Sequence, residues 1–317
     1  MLKTFLSACV CIAALTSPVK ADPLAILDDR GEVVTVKEPA KKIASVSLFG
    51  ADLASVLGLE VVATSYLSKD SLPPFLADDL KNAAQLGSRS APNMEVLAKA
   101  KPDLIVAIRR YTEGFADEYE AIAPYLALHT ESYADSNSAI VMASHLMGVK
   151  EKGQALNSQF EEDIYNFEEK IPEGPRKSYL FLWGSGEAPW AYYDDYHTVA
   201  ILNSLGMTNP IGSNPTPHDR NNFAYQMNLE EMLEIDPEYI IVFDRGPDEP
   251  FLTNPIWDEL KAVKNKKVFF VGDHWMASHG PLARQNVLHE AAHMIYPDLF
   301  PKKTHADIKK HVLSAVK

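Results

Sequence analysis

The chain has 317 residues, 46% of them hydrophobic and 23% charged, a composition that excludes disorder and low complexity. Lys and Arg number 30 against 43 Asp and Glu, a formal charge of −13, which excludes nonspecific nucleic-acid binding because that needs basic surface to displace counterions. The length strains a single core and predicts two lobes, and any anionic ligand must meet a local arginine cluster against the overall field.

Residues 1–21 read as a secretory signal. Lys3 lies near the start, an apolar run covers 5–15, and Val19-Lys20-Ala21 precedes a cleavage point before Asp22. The run is too short to anchor the chain in a bilayer. Cys9 and Cys11 are the only cysteines, so the processed chain holds no disulfide even in an oxidising compartment. Leu6-Ser7-Ala8-Cys9 resembles a lipoprotein cleavage box but precedes most of the apolar run, so no lipid anchor is expected.

Beyond the signal, Lys42 opens a strand over 43–48, and a helix over 51–59 follows with Gly58 as its C-cap. The loop Gly87-Ser88-Arg89-Ser90-Ala91-Pro92 leads to an N-cap at Asn93, with Glu95 in the first helical turn and Pro102 as the stop. Residues 105–108 are a buried parallel strand, ending at Arg109 and Arg110. Residues 137–170 are mostly helix formers, with apolar positions at Leu146, Val149, Leu156, Phe160, Ile164 and Phe167, until Ile171-Pro172 ends them.

The second half repeats the first. Residues 93–110 align without gaps on 228–245, so Asn228, Glu230, Pro237 and Arg245 match Asn93, Glu95, Pro102 and Arg110. The same offset of 135 pairs Lys177, which opens a strand over 178–183, with Lys42, and a helix over 199–207 ends at Gly206 as its counterpart ends at Gly58. The expectation is an α/β protein of two similar lobes, each with a small parallel sheet. After the signal, residues 22–136 form the first lobe, one long helix over 137–170 links, and 171–317 form the second. Such a connection is stiff, so the cleft between the lobes opens and closes little.

Ligands of parallel α/β sheets lie outside the carboxyl ends of the strands. Arg109, Arg110 and Arg245 fall at such ends, and the loops carrying Arg89 and Pro217-His218-Asp219-Arg220 are matched by their order in each half. Arginine suits carboxylates because its fork donates two parallel hydrogen bonds. Phe49, Trp183, Trp190, Tyr192, Tyr193 and Trp275 are candidates for the cleft wall, Trp275 because it sits in a turn past the strand over 267–271.

Together the signal segment, Lys42-Ile43-Ala44-Ser45, Pro92-Asn93-Met94-Glu95 and Lys101-Pro102-Asp103-Leu104-Ile105-Val106 resemble the periplasmic siderophore-binding proteins of ABC importers. These are the rigid-helix, class III substrate-binding proteins, a group that includes haem and cobalamin binders, so a haem or cobalamin binder of the same fold is the alternative that the resemblance implies. Gly87-Ser88-Arg89, Ile122-Ala123-Pro124 and the Trp275 turn look most like the ferric citrate and ferric siderophore branch. The resemblance implies a periplasmic monomer, not an enzyme, that carries an anionic ferric siderophore, citrate-like or catecholate, to an inner-membrane permease. It implies ligand contacts from Arg89, Arg109, Arg110, Arg220, Arg245, Trp275, Phe49, Tyr192 and His218, with Glu95 and Glu230 docking on the permease. Where catecholate binders place an iron-coordinating Tyr and His, Met276 and Phe223 stand here, and His218, His274 or His279 would have to substitute. The implied cargo is therefore fully chelated iron, with no cofactor and no obligatory protein ligand to the metal.

A rival of another class is a zinc hydrolase, since His289-Glu290-Ala291-Ala292-His293 fits the H-E-x-x-H pattern. No Glu follows Glu290, and Tyr296 stands where the extended pattern needs Gly. Leu288, Ala291, Ala292 and Ile295 also explain the helix as a core stripe.

Overall fold

Continuous runs of β-branched and aromatic residues can be buried on both faces only between layers of helix, and two such layered units form here. The computed structural model describes residues 22–66, 72–184, 186–219, 221–243 and 249–317. The secretory segment 1–21 and the site candidates Arg220 and Arg245 lie outside the described residues.

A hairpin of β1 (Leu24–Leu27) and β2 (Val33–Val36) comes first. There follow β3 (Lys42–Val46), α1 (Leu48–Val56), β4 (Glu60–Thr64), α2 (Ala77–Leu80), β5 (Ala84–Gln85), α3 (Met94–Ala100), β6 (Leu104–Ile108), α4 (Arg109–Thr112), α5 (Ala116–Glu120) and β7 (Tyr125–Leu128). The first-lobe sheet is wholly parallel, in the order β5-β4-β3-β6-β7. Two helices connect the lobes, α6 (Tyr133–Leu146) and α7 (Lys150–Glu168). The second lobe holds β8 (Lys177–Trp183), β9 (Trp190–Tyr192), α8 (His197–Ser204), β10 (Met207–Thr208), β11 (Ala224–Gln226), α9 (Leu229–Ile235), β12 (Tyr239–Phe243), α10 (Lys261–Lys264) and β13 (Val268–Val271). Helices α11 (Asp273–Met276), α12 (Pro281–Ile295) and α13 (His305–Val312) complete the chain.

The duplication extends to the backbone. Asn93 caps α3 by accepting from Val96 N at 3.1 Å, and Asn228 caps α9 by accepting from Glu231 N at 2.8 Å. Both helices end in a left-handed residue, Lys101 at φ 49° and Asp236 at φ 42°. Positive φ is uncommon outside glycine, so its recurrence at matched positions reflects a shared unit.

The second sheet and the connection between the lobes differ from the sequence expectation. The second sheet, β11-β9-β8-β12-β13, is mixed: β8, β12 and β13 run parallel, while β9 and β11 pair antiparallel. The link from β8 to β9 is too short for the crossover that a parallel pair needs. The connection over 137–170 is also not one helix. Gly148 adopts φ +73° with Pro39 packed where a side chain would stand, which ends α6 and starts α7 as a separate long helix.

Two helices tie the lobes. Leu156 of α7 packs in the cluster around Ile43 and Leu104, while Phe160 and Phe167 of the same helix pack around Phe181 and Ile241. Helix α12 does likewise, with Leu282 and Ala283 in the first cluster and Val287, Leu288 and Ala291 in the second. Ile308 and Val312 of α13, within the stretch expected as second lobe, pack into the first-lobe cluster. Arg284, fully buried in α12, locks the crossing: Nη1 donates to Asn137 Oδ1 at 2.9 Å and Nη2 to Leu156 O at 2.8 Å, with the guanidinium 4.4 Å above the Phe160 ring. Asp52 of α1 caps α12 from the other lobe, accepting from Leu282 N at 2.9 Å and Ala283 N at 2.8 Å. Gly280 is required there, because a Cβ would collide with that carboxylate.

Arg284→Ala should cost about 3–5 kcal/mol of stability in urea unfolding, because it strands the Leu156 carbonyl and the amide oxygens of Asn137 and Asn157, to which Arg284 also donates. Burial pushes the Asp52 carboxyl up to about 7 from an ordinary 3.8, against its two backbone donors. A carboxyl held neutral in the fold loses its stabilising effect as pH rises from the unfolded to the folded value. Asp52→Asn should therefore gain on the parent by about 4 kcal/mol between pH 4 and pH 7.5. Parallel pH profiles for the two proteins would show the carboxyl to be ionised throughout.

Candidate functional site

The carboxyl ends of β6, β8 and β12 open on a cavity of about 570 Å³ between the lobes. The first lobe contributes Tyr66, Ser88, Arg89, Arg110 and Tyr111. The second contributes an aromatic wall from Trp183, Trp190, Tyr192, Tyr196 and Phe223, with Asp219, Asn221 and Asn222 on a loop at its side. The antiparallel strands β9 and β11 create this wall, because they carry Trp190, Tyr192 and Ala224 to the cavity.

Two guanidinium groups share one ring. Arg89 Cζ lies 4.3 Å and Arg110 Cζ 4.7 Å from the centroid of Tyr111, and Arg89 Nη2 donates to the Tyr111 hydroxyl at 2.9 Å. The cations are thus no farther apart than those two centroid distances together. Arg110 also lies 5.5 Å from the Phe223 ring, so rings from both lobes flank it. Behind it, Glu131 Oε1 stands 2.9 Å from Arg110 Nε, a close charge contact not aligned as a hydrogen bond. Burial works against the charged guanidinium, but Glu131 and nearby tyrosines hold its pKa above the ordinary value. His279, buried close by, is pushed down to about 3 by its burial and by Arg110 and Arg89, so it stays neutral. The Tyr196 hydroxyl, raised by burial, donates to Met276 O at 2.7 Å.

Several candidates stand elsewhere. Arg109 turns from the cavity, its Nε 2.8 Å from Glu113 Oε2 and its Nη1 3.1 Å from His129 Nε2. Consecutive residues on a helix point about 100° apart, so α4 can aim only one of the arginine pair at the cleft. Phe49 is 2% exposed in the first-lobe core, because α1 begins directly after β3 and takes up the loop in which Phe49 was expected. Trp275 is fully buried as well: its turn closes into α11, Nε1 donates to Glu290 Oε2 at 2.8 Å, and Met276 reaches the cavity instead. His218 is exposed on its loop and does not line the cavity, and Tyr193 stacks on Tyr225. Tyr192 does line it. Sequence reasoning passed over Tyr66, Tyr111, Tyr196 and Glu131. Only Tyr111 carried a signal, as the neighbour of the arginine pair.

The H-E-x-x-H residues have structural partners. Glu290 Oε2 lies 2.7 Å from His274 Nε2 besides its bond from Trp275, His293 Nδ1 is 2.8 Å from Phe300 O, and His289 meets the Phe167 ring edge-on. Among the described residues, no group of three or more His, Cys, Asp or Glu is arranged to hold a metal. Glu95 and Glu230 stand at the exposed first turns of α3 and α9, the Glu95 side chain 88% exposed.

The family model for the periplasmic binding protein matches residues 43–274. The chain belongs to that family. This periplasmic binding protein is 25% identical over 274 residues to the Fe(3+) dicitrate-binding periplasmic protein FecB of Escherichia coli (strain K12), covering 83% of this chain and 87% of that one. It is 23% identical over 265 residues to the Fe(3+)-citrate-binding protein YfmC of Bacillus subtilis (strain 168), covering 82% of each. Among solved structures, Staphylococcus aureus SirA complexed with staphyloferrin B matches with a TM-score of 0.69 at 19% identity, over 86% of this chain and 98% of that chain. At that identity the likeness is one of fold.

Of the four tryptophans, Trp183 and Trp190 line the cavity while Trp257 and Trp275 are buried. Iodide, drawn towards the arginines, should quench part of the emission, and that part should vanish in the Trp183→Phe, Trp190→Phe double variant.

Proposed function

We propose that this periplasmic binding protein captures an anionic ferric siderophore between its lobes and delivers it to an ABC importer in the inner membrane. The observation that carries the reading is the pair of guanidinium groups on Tyr111, facing an aromatic wall across a cavity of small-molecule size. Arginine forks bind carboxylate or catecholate oxygens in pairs, and the rings cover the apolar rim of a chelate. The iron is cargo, fully chelated by the siderophore, and the protein needs no cofactor. Relatives whose names state binding of ferric citrate support a hydroxycarboxylate chelate, and the aromatic wall also suits a catecholate. Arg245 and Arg220 belong to the same proposal as further ligand contacts.

Export fits this role. Residues 1–21 read as a signal, and among the described residues no helix is long and apolar enough to cross a membrane. Glu95 and Glu230, one per lobe at matched positions, are the proposed docking points on the permease, which the protein serves as a monomer.

Arg89→Ala with Arg110→Ala should weaken binding of ferric citrate at least about 100-fold, since each removes charge-assisted hydrogen bonds, and should leave the fold intact by circular dichroism. Titrating tryptophan emission with ferric citrate, a ferric catecholate, a ferric hydroxamate, haem and cobalamin reads this out and ranks the ligand classes. Normal binding by the double variant would place the ligand elsewhere. Glu95→Ala with Glu230→Ala should spare that titration and depress iron uptake by cells, whereas unimpaired uptake would remove the docking role.

A further inference from the structure

Glu131 is 1% exposed, and its charge has no evident use in gripping an anion. It lies between β7 and α6, where the first lobe meets the second. Its carbonyl oxygen accepts from His197 N of the second lobe at 2.8 Å, and Oε2 accepts from Thr130 N at 2.9 Å. Only Oε1 is left for Arg110, the one cation in contact with Glu131 among the described residues. The two edges of that guanidinium face different surroundings. Its Nε edge is buried against Glu131, while the side chain lines the cavity and makes no hydrogen bond to any described residue.

We infer that Glu131 is a resident counterion that moderates how tightly the cleft holds an anionic ligand, and so sets how readily the ligand leaves. The inference rests on the cargo reading above and concerns the same site. Orientation of Arg110 does not need Glu131, because the rings of Tyr111 and Phe223 flank the guanidinium. What the carboxylate adds is charge. It keeps a desolvated guanidinium paired before ligand arrives, and it repels every negative charge that approaches the other edge. Both effects lower anion affinity: the free protein is stabilised and the complex is opposed. A carrier that must surrender its cargo has use for such a brake, since differences in affinity fall mainly on the dissociation rate.

The test is Glu131→Gln, which keeps an oxygen for Thr130 N and removes the charge. Ferric citrate should bind about tenfold more tightly and dissociate correspondingly more slowly in stopped-flow tryptophan emission. The gain should grow with the negative charge of the chelate and be absent for a neutral ferric trihydroxamate, while the ligand-free protein becomes less stable to urea. A purely structural role would lower stability without slowing dissociation. If Glu131→Gln does not fold, Glu131→Asp, which draws the charge back by one methylene, should show the same charge-graded gain at smaller size. Unchanged or weaker ferric citrate binding in the folded variant overturns the inference. Arg110→Ala is measured alongside: should it bind ferric citrate like the parent, the cargo reading itself fails, whereas loss of binding there without a gain in Glu131→Gln sinks only the brake.

Discussion

Two lobes hold a fixed spacing only if the elements between them can neither bend nor slide, and Arg284 secures that here. Its guanidinium is buried where α6, α7 and α12 meet and donates to an amide oxygen and a carbonyl on the first two. A buried cation in such a setting resists displacement, because any slip of one helix leaves a charge or a carbonyl without a partner. Burial pulls its pKa down to about 10, so it is still charged at neutral pH. Asp52 applies the same constraint from the first lobe, by holding the N-terminus of α12. Helices α7 and α12, each with one end in either core, then act as two struts instead of one hinge.

With spacing fixed, the chemistry of the cleft depends on what each lobe places there. The lobes share one plan, visible in the matched caps of α3 and α9, yet their contributions differ. Among the described residues, both cations lining the cavity come from the first lobe and most of the aromatic surface from the second. The difference follows from topology. The first lobe keeps a wholly parallel sheet, so the end of β6 leads directly into α4 and Arg110. The second interposes β9 and β11, whose alternating side chains turn Trp190 and Tyr192 to the cavity.

Much of the fold was legible because it rests on local rules. The Asn caps, the proline stops and the apolar runs repeat at one offset, and they located α3, β6, α9 and β12 to within a residue or two. The mixed second sheet and the break at Gly148 were not, since the first depends on which strand a short turn can reach and the second on Pro39 lying against the glycine. Within the site, the sequence named Arg89, Arg110, Trp183, Trp190 and Tyr192 among the residues that line the cavity, but helix phase and tertiary closure decided the others. Arg109 and Arg110 look alike in a string and diverge on a helix. Phe49 and Trp275 look like loop residues until helices α1 and α11 take them inside. Glu131 left no trace at all, because it meets Arg110 only through the fold, from 21 positions later in the chain.

The return of α13 to the first lobe bears on how the molecule is assembled. Lys309 bonds Asp79 across 230 residues, and Ile308 and Val312 fill a core whose other members come mostly from the chain's first half. The first lobe therefore cannot complete its interior until almost the last residue has arrived, and contacts of such long sequence separation form slowly. A polypeptide that crosses a membrane in extended form before folding would gain from this delay. Its leading part would stay pliable while the trailing part was still inside, and the structure would close only on the far side.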